Sequence, residues 1–554
     1  MPKKGNYSSL SGLFGGNNEH ITRNRNTRAR RRIPRNTAPV SSLTQLFVEP
    51  VQTVVCKYCK ALKWEMEAES LCCNNGKTKL PLLPPLPPIL KKLFYGTTTA
   101  ARHFRNNINS YNNAFCMTSA GITRHMPRGR GPPTFMIQGV PYHRIGSLKA
   151  PDGYQPAYAQ LYLIDTSEAV GIRSQIGNKL NNSTAQTNIK NIEKCLRKHN
   201  PFIKQYETAM EKQQQEPQKN YAIIFEECVP QNQHPGRWNI PTSQGMCGLI
   251  TDLDSGEYEK KYRNIVMTVR GSKFLEHIFE THNKYDPLHY TLLFPRGTQG
   301  WTIHLLNKDG KRLTSQKYYQ YRLMERQNEP NYLFLAKQLF QKYLIDMFSK
   351  VLLQNLRWCS LNQDKIRAAS FQEVSEAIEN RENSELGKRI VLPSSVPGGD
   401  RFMRELYLDY MAIVRVIGNP DGFITITCNP KWTEITRELY PGQTANDRPD
   451  LCNRVFQMKL KLLMDYLYTY GVLGRAVAKL YVVEFQKRGL PHAHILIFLN
   501  NEDKPRTGED VDKFTTAEVP DPEKNPILHE YVKNHLIHRP CDSTDPAYDP
   551  EEYH

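Results

Sequence analysis

Two runs of β-forming residues lie close together late in this 554-residue chain, and they constrain its fold more than any other feature. Ala478–Gln486 (AKLYVVEFQ) and His492–Asn500 (HAHILIFLN) flank the short break Lys487-Arg488-Gly489-Leu490-Pro491, so they read as two strands joined by a loop. Upstream, FITITCNP at 423–430 alternates β-branched and polar residues and reads as a third strand, central in its sheet. Between them, Asp450 to Tyr470 reads as a helix with Val455, Met458, Leu462 and Leu463 on one side. Residues 401–417 read as another helix, ended by the turn Asn419-Pro420-Asp421-Gly422. Strand, helix, strand, strand is an α+β unit: an antiparallel sheet with flanking helices.

The chemistry of this unit sits at His492-Ala493-His494. On a strand, residues two apart point to the same face, so both imidazoles reach one ion. If Gln486 pairs with His492 across the loop, Glu484 pairs with His494, and all four side chains share that face. Two histidines with a carboxylate or amide, and open positions for water and substrate, suit Mg²⁺ or Mn²⁺. His-x-His by itself is a weak pattern that two ordinary histidines satisfy; the acid on the same face strengthens the metal reading. Thr425 and Thr427 place hydroxyls on one side of the adjacent strand, where they can support a polar site.

The rest of the chain bounds the partners. Lys and Arg number 74 against 55 Asp and Glu, a net charge of +19, which points to a polyanion. No uninterrupted apolar run approaches the roughly 18 residues of a membrane span, and the N-terminus lacks the apolar region of a secretory signal. Residues 1–45 read as a disordered basic tail, with seven arginines between Arg23 and Arg35 that suit nuclear import or a DNA-binding arm. Residues 46–125 form a small Cys-rich module. Cys56 and Cys59 make a C-x-x-C, and Cys72 and Cys73 follow, a set that suggests zinc. Adjacent cysteines do not easily face one ion, so Cys116, His103 or no residue completes the set; two small buried residues beside Trp64 is the plainer alternative. The prolines of LPLLPPLPPIL (80–90) forbid a regular helix and predict an extended spacer. Residues 126–310 read as β-rich, with a polar helical stretch at 185–220 and strand and turn through YDPLHYTLLFPRGTQGW. Residues 311–400 read as helical, with Leu335, Leu339, Tyr343, Met347 and Val351 at i+4 and a second helix at 365–382. The sheet unit occupies 401–541, and 542–554 is an acidic tail.

FITITCNPKW and VEFQKRGLPHAHIL resemble the HUH endonuclease, the rolling-circle replication initiator domain, of Helitron transposons. HNKYDPLHYTLLFPRGTQGW, KYYQYRLMER, VLPSSVPGGDRFMRELYLDYMAIVRVIGNPDGF and CKYCKALKWEMEAESLCC extend the resemblance over roughly residues 46–541. It implies a palm-like nuclease core that nicks single-stranded DNA in the nucleus. A divalent ion held at His492 and His494 polarises the scissile phosphate, and a tyrosine attacks it and stays linked to the 5′ phosphate. Glu484 is favoured as third ligand because a carboxylate binds a hard cation better than an amide, with Gln486 close behind. Two departures qualify this. The family's tyrosine pair is expected downstream of the histidines, where Tyr531, Tyr548 and Tyr553 do not reproduce it; Tyr466 and Tyr470, at i,i+4, are weaker stand-ins, and Tyr318, Tyr319 and Tyr321 weaker still. The helicase of full-length relatives is also missing, since no G-x-x-x-x-G-K-[ST] loop occurs. The expectation is therefore a fragment that binds single-stranded DNA and a divalent ion without nicking. The alternatives are a non-catalytic, transposon-derived DNA-binding protein and a hydrolase that uses water.

Overall fold

The computed structural model describes residues 54–120, 123–125, 136–138, 143–145, 150, 153–215, 221–225, 248–251, 265–268, 276–278, 280–327, 329, 331–367, 392–396, 399–485 and 490–536. The basic tail (1–45), the acidic tail with Tyr548 and Tyr553, Gln486, and residues 368–382 of the second expected helix lie outside them. The described chain mixes helices with small antiparallel sheets. No described helix is long and apolar enough to cross a membrane.

The expected three strands form one antiparallel sheet: β1 (Gly422–Thr427), β2 (Ala476–Phe485) and β3 (Pro491–Leu499), in the order β1-β3-β2. The threonine strand is therefore an edge of this sheet, not its centre; the central strand is β3, which carries the histidines. Its position follows from composition. Ala493, Ile495, Ile497 and Leu499 are all buried, and a central strand buries its apolar face against both neighbours. Leu451, Val455, Phe456, Met458 and Leu467 of the helix Pro449–Tyr468 join the same buried cluster. Each such side chain contributes about 1.5–3 kcal/mol when fully buried. This helix covers one face of the sheet only. The other face presents Phe423, Thr425, Thr427, Glu484, His492 and His494.

The hairpin register differs from the expected one by two residues. Glu484 lies opposite His492, Val482 opposite His494, and Phe485 opposite Pro491. Because side chains alternate with period two, a shift of two keeps every residue on its face.

A second, larger core runs from Cys56 to Val351, so packing crosses residues 125 and 310, where boundaries were expected. The helical period at 335–351 is realised: Leu339, Tyr343, Met347 and Val351 are buried on the helix Lys337–Leu361, and Leu335 on the short 3₁₀ turn before it. The polar stretch at 185–220 is two helices, Ser183–His199 and Pro201–Gln215, with residues 216–220 outside the described set. Two expectations need correction. The proline-rich segment is irregular only to Pro87, and a helix runs from Pro88 to Tyr95; Pro88 opens it at the first position, where a missing N–H costs nothing. The segment from Tyr285, expected as strand and turn, begins with a one-turn helix, Tyr285–His289, followed by tight turns. Its polar side chains turn inward, where Asp286 and Asp346 accept hydrogen bonds.

The two cores are joined by charges that sequence patterns do not reveal. Arg454, on the helix behind the sheet, donates to both carboxylate oxygens of Glu67 at 2.7 and 2.8 Å, with its guanidinium 4.5 Å from the Trp64 ring centroid. Trp64 belongs to the core under the sheet, so it is not the partner of a small buried cysteine pair.

Candidate metal centres

The first candidate centre lies on the exposed face of the three-stranded sheet. Ligand atoms of Glu484, His492 and His494 all fall within 4.8 Å of one another. Strand β3 supplies both imidazoles because residues two apart share a face; β2 supplies the acid from the register position opposite His492. Glu484 then reaches diagonally, and its Oε1 lies 3.2 Å from His494 Nε2. The His492 and His494 ring centroids are 4.5 Å apart.

Strand β1 completes the setting. Thr427, opposite His492, places its hydroxyl oxygen 2.6 Å from His492 Nδ1. A partner on one ring nitrogen fixes the ring plane and leaves the other nitrogen for a cation. The hydroxyl expected beside the metal face is thus realised at Thr427. The sequence reading gives Phe423 no part in this site, yet its ring stacks on His494 at 5.5 Å with planes 8° apart. The signal was its alternation: Phe423, Thr425 and Thr427 share one face. Burial pushes the His492 pKa below the ordinary imidazole value, the charge of His494 adds to this, and Glu484 opposes it. A neutral imidazole is the form that binds metals.

The tyrosine candidates lie elsewhere. Tyr466 sits in, and Tyr470 just beyond, the helix that covers the opposite face of the sheet, with ring centroids 5.7 Å apart. Tyr531 is exposed on the helix Pro526–His535. Tyr318, Tyr319 and Tyr321 are buried in the larger core.

The second candidate centre is the cysteine cluster, which could hold a metal ion such as zinc. The four Sγ atoms of Cys56, Cys59, Cys72 and Cys73 lie within 4.8 Å of one another. Tetrahedral zinc with Zn–S near 2.3 Å asks for about 3.8 Å between sulfurs; Cys56 and Cys73 stand at 3.7 Å, and Cys72 and Cys73 at 3.8 Å. Cys56 and Cys59 come from one tight turn, in which the Lys60 N–H donates to the Cys56 carbonyl at 2.9 Å. Adjacent Cys72 and Cys73 do both face the cluster, contrary to expectation. Asn74, Asn75 and Gly76 follow them with positive φ, a left-handed curl that wraps the chain around the sulfurs. Neither outside candidate joins: Cys116 Sγ donates to the Asn113 carbonyl, and His103 bonds Tyr111 and Asn182. Hydrogen bonds from Cys72 and Cys73 hold the Cys59 thiol far below its usual range, while the shared hydrogen bond with Cys59 pushes both neighbours up.

Residues 318–497 match the family described as "Helitron helicase-like domain at N-terminus". A search of curated proteins returned no match. The match supports a Helitron-related protein. It contains Glu484, His492 and His494 and stops short of the cysteine cluster, so it is narrower than the resemblance drawn over residues 46–541.

Proposed function

We propose that this chain is a single-stranded-DNA-binding component of a Helitron-type rolling-circle transposase, working in the nucleus, with an HUH-type site that takes Mg²⁺ or Mn²⁺ at Glu484, His492 and His494. The observation that carries this reading is the convergence of those three ligands on an exposed sheet face inside the segment that matches the family. A bound divalent ion there supplies positive charge to a phosphodiester oxygen. The chain's own contributions are positional. Thr427 orients His492, Glu484 adds negative charge and a hard oxygen ligand, and the open face admits a strand. Gln486 remains the alternative third ligand on the expected face.

His492→Ala and His494→Ala are each expected to abolish Mn²⁺ binding in titration calorimetry while the unfolding midpoint stays near wild type, since the core lies on the other face. Undiminished binding in both variants would falsify the site. The pH dependence has a defined sign. His492 titrates below the ordinary value of 6.5. Protonation of His492 competes with the ion, so its contribution to affinity is lost as pH falls through that lowered value.

Single-stranded DNA affinity should fall steeply with salt through counterion release, by more than about tenfold between 50 and 200 mM. Deleting residues 1–45 removes the arginine cluster and should flatten the slope. A salt-independent affinity would put the net charge away from the DNA.

A second reading, DNA binding without nicking, is favoured by the tyrosines: Tyr466 and Tyr470 belong to the far side of the sheet. Labelled single-stranded DNA incubated with Mn²⁺ decides between the readings. A denaturation-stable adduct mapped to Tyr466, Tyr470 or Tyr531 rejects the second.

A further inference from the structure

We infer that the groove beside the cysteine cluster is a site for single-stranded nucleic acid, with phosphates on Lys60, Lys79 and Lys308 and one unpaired base on Tyr58. It deepens the proposed function, and rests on it only for the class of polymer.

The groove encloses about 380 Å³, and no carboxylate lines it. Three separate segments bring these lysines to the lining of one groove. Lys60 is in the turn that holds Cys56 and Cys59, at φ +60°. Lys79 follows the Cys72–Gly76 curl. Lys308 comes from the turn between Leu306 and Arg312, which is tied to the curl by Lys308 N–H to the Lys77 carbonyl and by the Thr78 hydroxyl to Asn307 Oδ1, both 3.1 Å. All three lysines are exposed, and none forms an ion pair among the described residues. Arg326 also lines the groove but is neutralised by Glu329 at 3.0 Å. Like charges held together by backbone contacts, with no acid beside them, favour a polyanion.

Tyr58 supplies the second half of the site. It is 56% exposed. Gly76 lies under it at φ +81°, and a Cβ there would stand 2.8 Å from Tyr58 Cδ1. The ring thus packs closely on the Gly76 backbone, with the Lys57 ammonium 5.1 Å from its centroid, and this packing limits the ordering cost of stacking. Base stacking on an aromatic needs an unpaired strand, which selects single-stranded over duplex nucleic acid.

The competing explanation is local. Cys59 also lines the groove, so the lysines could serve to balance thiolates around zinc. The experiment separates the two. Full-length protein purified with zinc is titrated against fluorescein-labelled oligo(dT) and against a duplex of equal length, and zinc content is measured on the same samples. Replacing all three lysines by alanine should make the plot of log affinity against log salt shallower by about two, at about 0.7 per phosphate contact, with zinc content unchanged. Tyr58→Ala should weaken oligo(dT) binding by about 5- to 150-fold and spare the duplex; Tyr58→Phe should restore it. Wild-type affinity in the lysine variant, zinc loss from it, or equal losses on both DNAs with Tyr58→Ala each overturn the site. Mn²⁺ binding in the same samples keeps the two ideas apart. Lysine variants that bind DNA normally reject the groove alone, whereas wild-type protein that binds no oligo(dT) rejects the groove and the DNA reading together.

Discussion

Cys73→Ser is expected to abolish zinc binding at the cysteine cluster and to lower the thermal midpoint by more than any single surface substitution. Cys73 lies at the centre of the four thiols: its Sγ is 3.7 Å from Cys56 Sγ, 3.8 Å from Cys72 Sγ, and accepts the Gly76 N–H at 3.2 Å. A serine keeps the size of the side chain but not the soft thiolate that zinc prefers. Structural zinc sites carry apparent binding free energies of roughly 10–16 kcal/mol, and that energy is folding energy. The loss would not stay local. Cys56, Cys72 and Cys73 are part of the larger core, and the strand Leu62–Lys63 leads into Trp64 and Glu67, which grip Arg454 behind the sheet. The check is metal content by emission spectrometry beside a thermal melt with and without a chelator. One zinc per wild-type chain, none in the variant, and a chelator-sensitive melt are expected. A metal-free wild type whose melt ignores the chelator rejects the centre.

Much of the sheet was legible in the sequence because its signals are local. Alternation along Phe423–Thr427 and Pro491–Leu499 assigns faces, and a face assignment tolerates an error of two residues in register. The register itself depends on how the loop between Phe485 and Leu490 closes, and composition does not determine that. The grouping of the three candidate ligands was legible for the same reason: His492 and His494 share a face by period alone, and Glu484 keeps that face under either register. The cysteine cluster was half legible. Four cysteines in eighteen positions mark a centre, but adjacency argued against Cys72 and Cys73 both facing one ion; the positive φ at Asn74, Asn75 and Gly76 shows how the chain curls to allow it. What could not be read were contacts between distant residues. Arg454 and Glu67 are separated by 387 positions, and neither carries a local pattern that names the other. The polar core at Asp286 was hidden more deeply, because a charged residue in a turn reads as solvated.

That hidden core leads to the second large effect: Asp286→Asn should destabilise the chain by about 3–5 kcal/mol, the cost of stranding a buried charge. Asp286 is 1% exposed. Its carboxylate accepts hydrogen bonds from Tyr319 at 3.0 Å and Tyr343 at 3.2 Å, and it pairs with the Lys350 ammonium at 3.1 Å. Lys350 is fully buried and stands 4.9 Å from the Tyr285 ring centroid, so aromatic faces support its charge, and Asp286 is its ion-pair partner. Asparagine keeps the shape and one acceptor oxygen, and removes the counter-charge. Burial first, and the Asp286 charge after it, hold the Tyr319 and Tyr343 hydroxyls well above their usual pKa, so neither can replace the lost anion by ionising. Gly300 packs against the site from another side: a Cβ there would come within 2.6 Å of the Asp286 carboxyl carbon. The decisive comparison is a double-mutant cycle. Lys350→Met alone leaves an anion with two hydroxyl donors and should cost less, while Asp286→Asn with Lys350→Met removes both charges and should recover much of the loss. Denaturant unfolding of the four proteins measures it. Additive losses, with no recovery in the double variant, would mean that the pair is not what holds this core together.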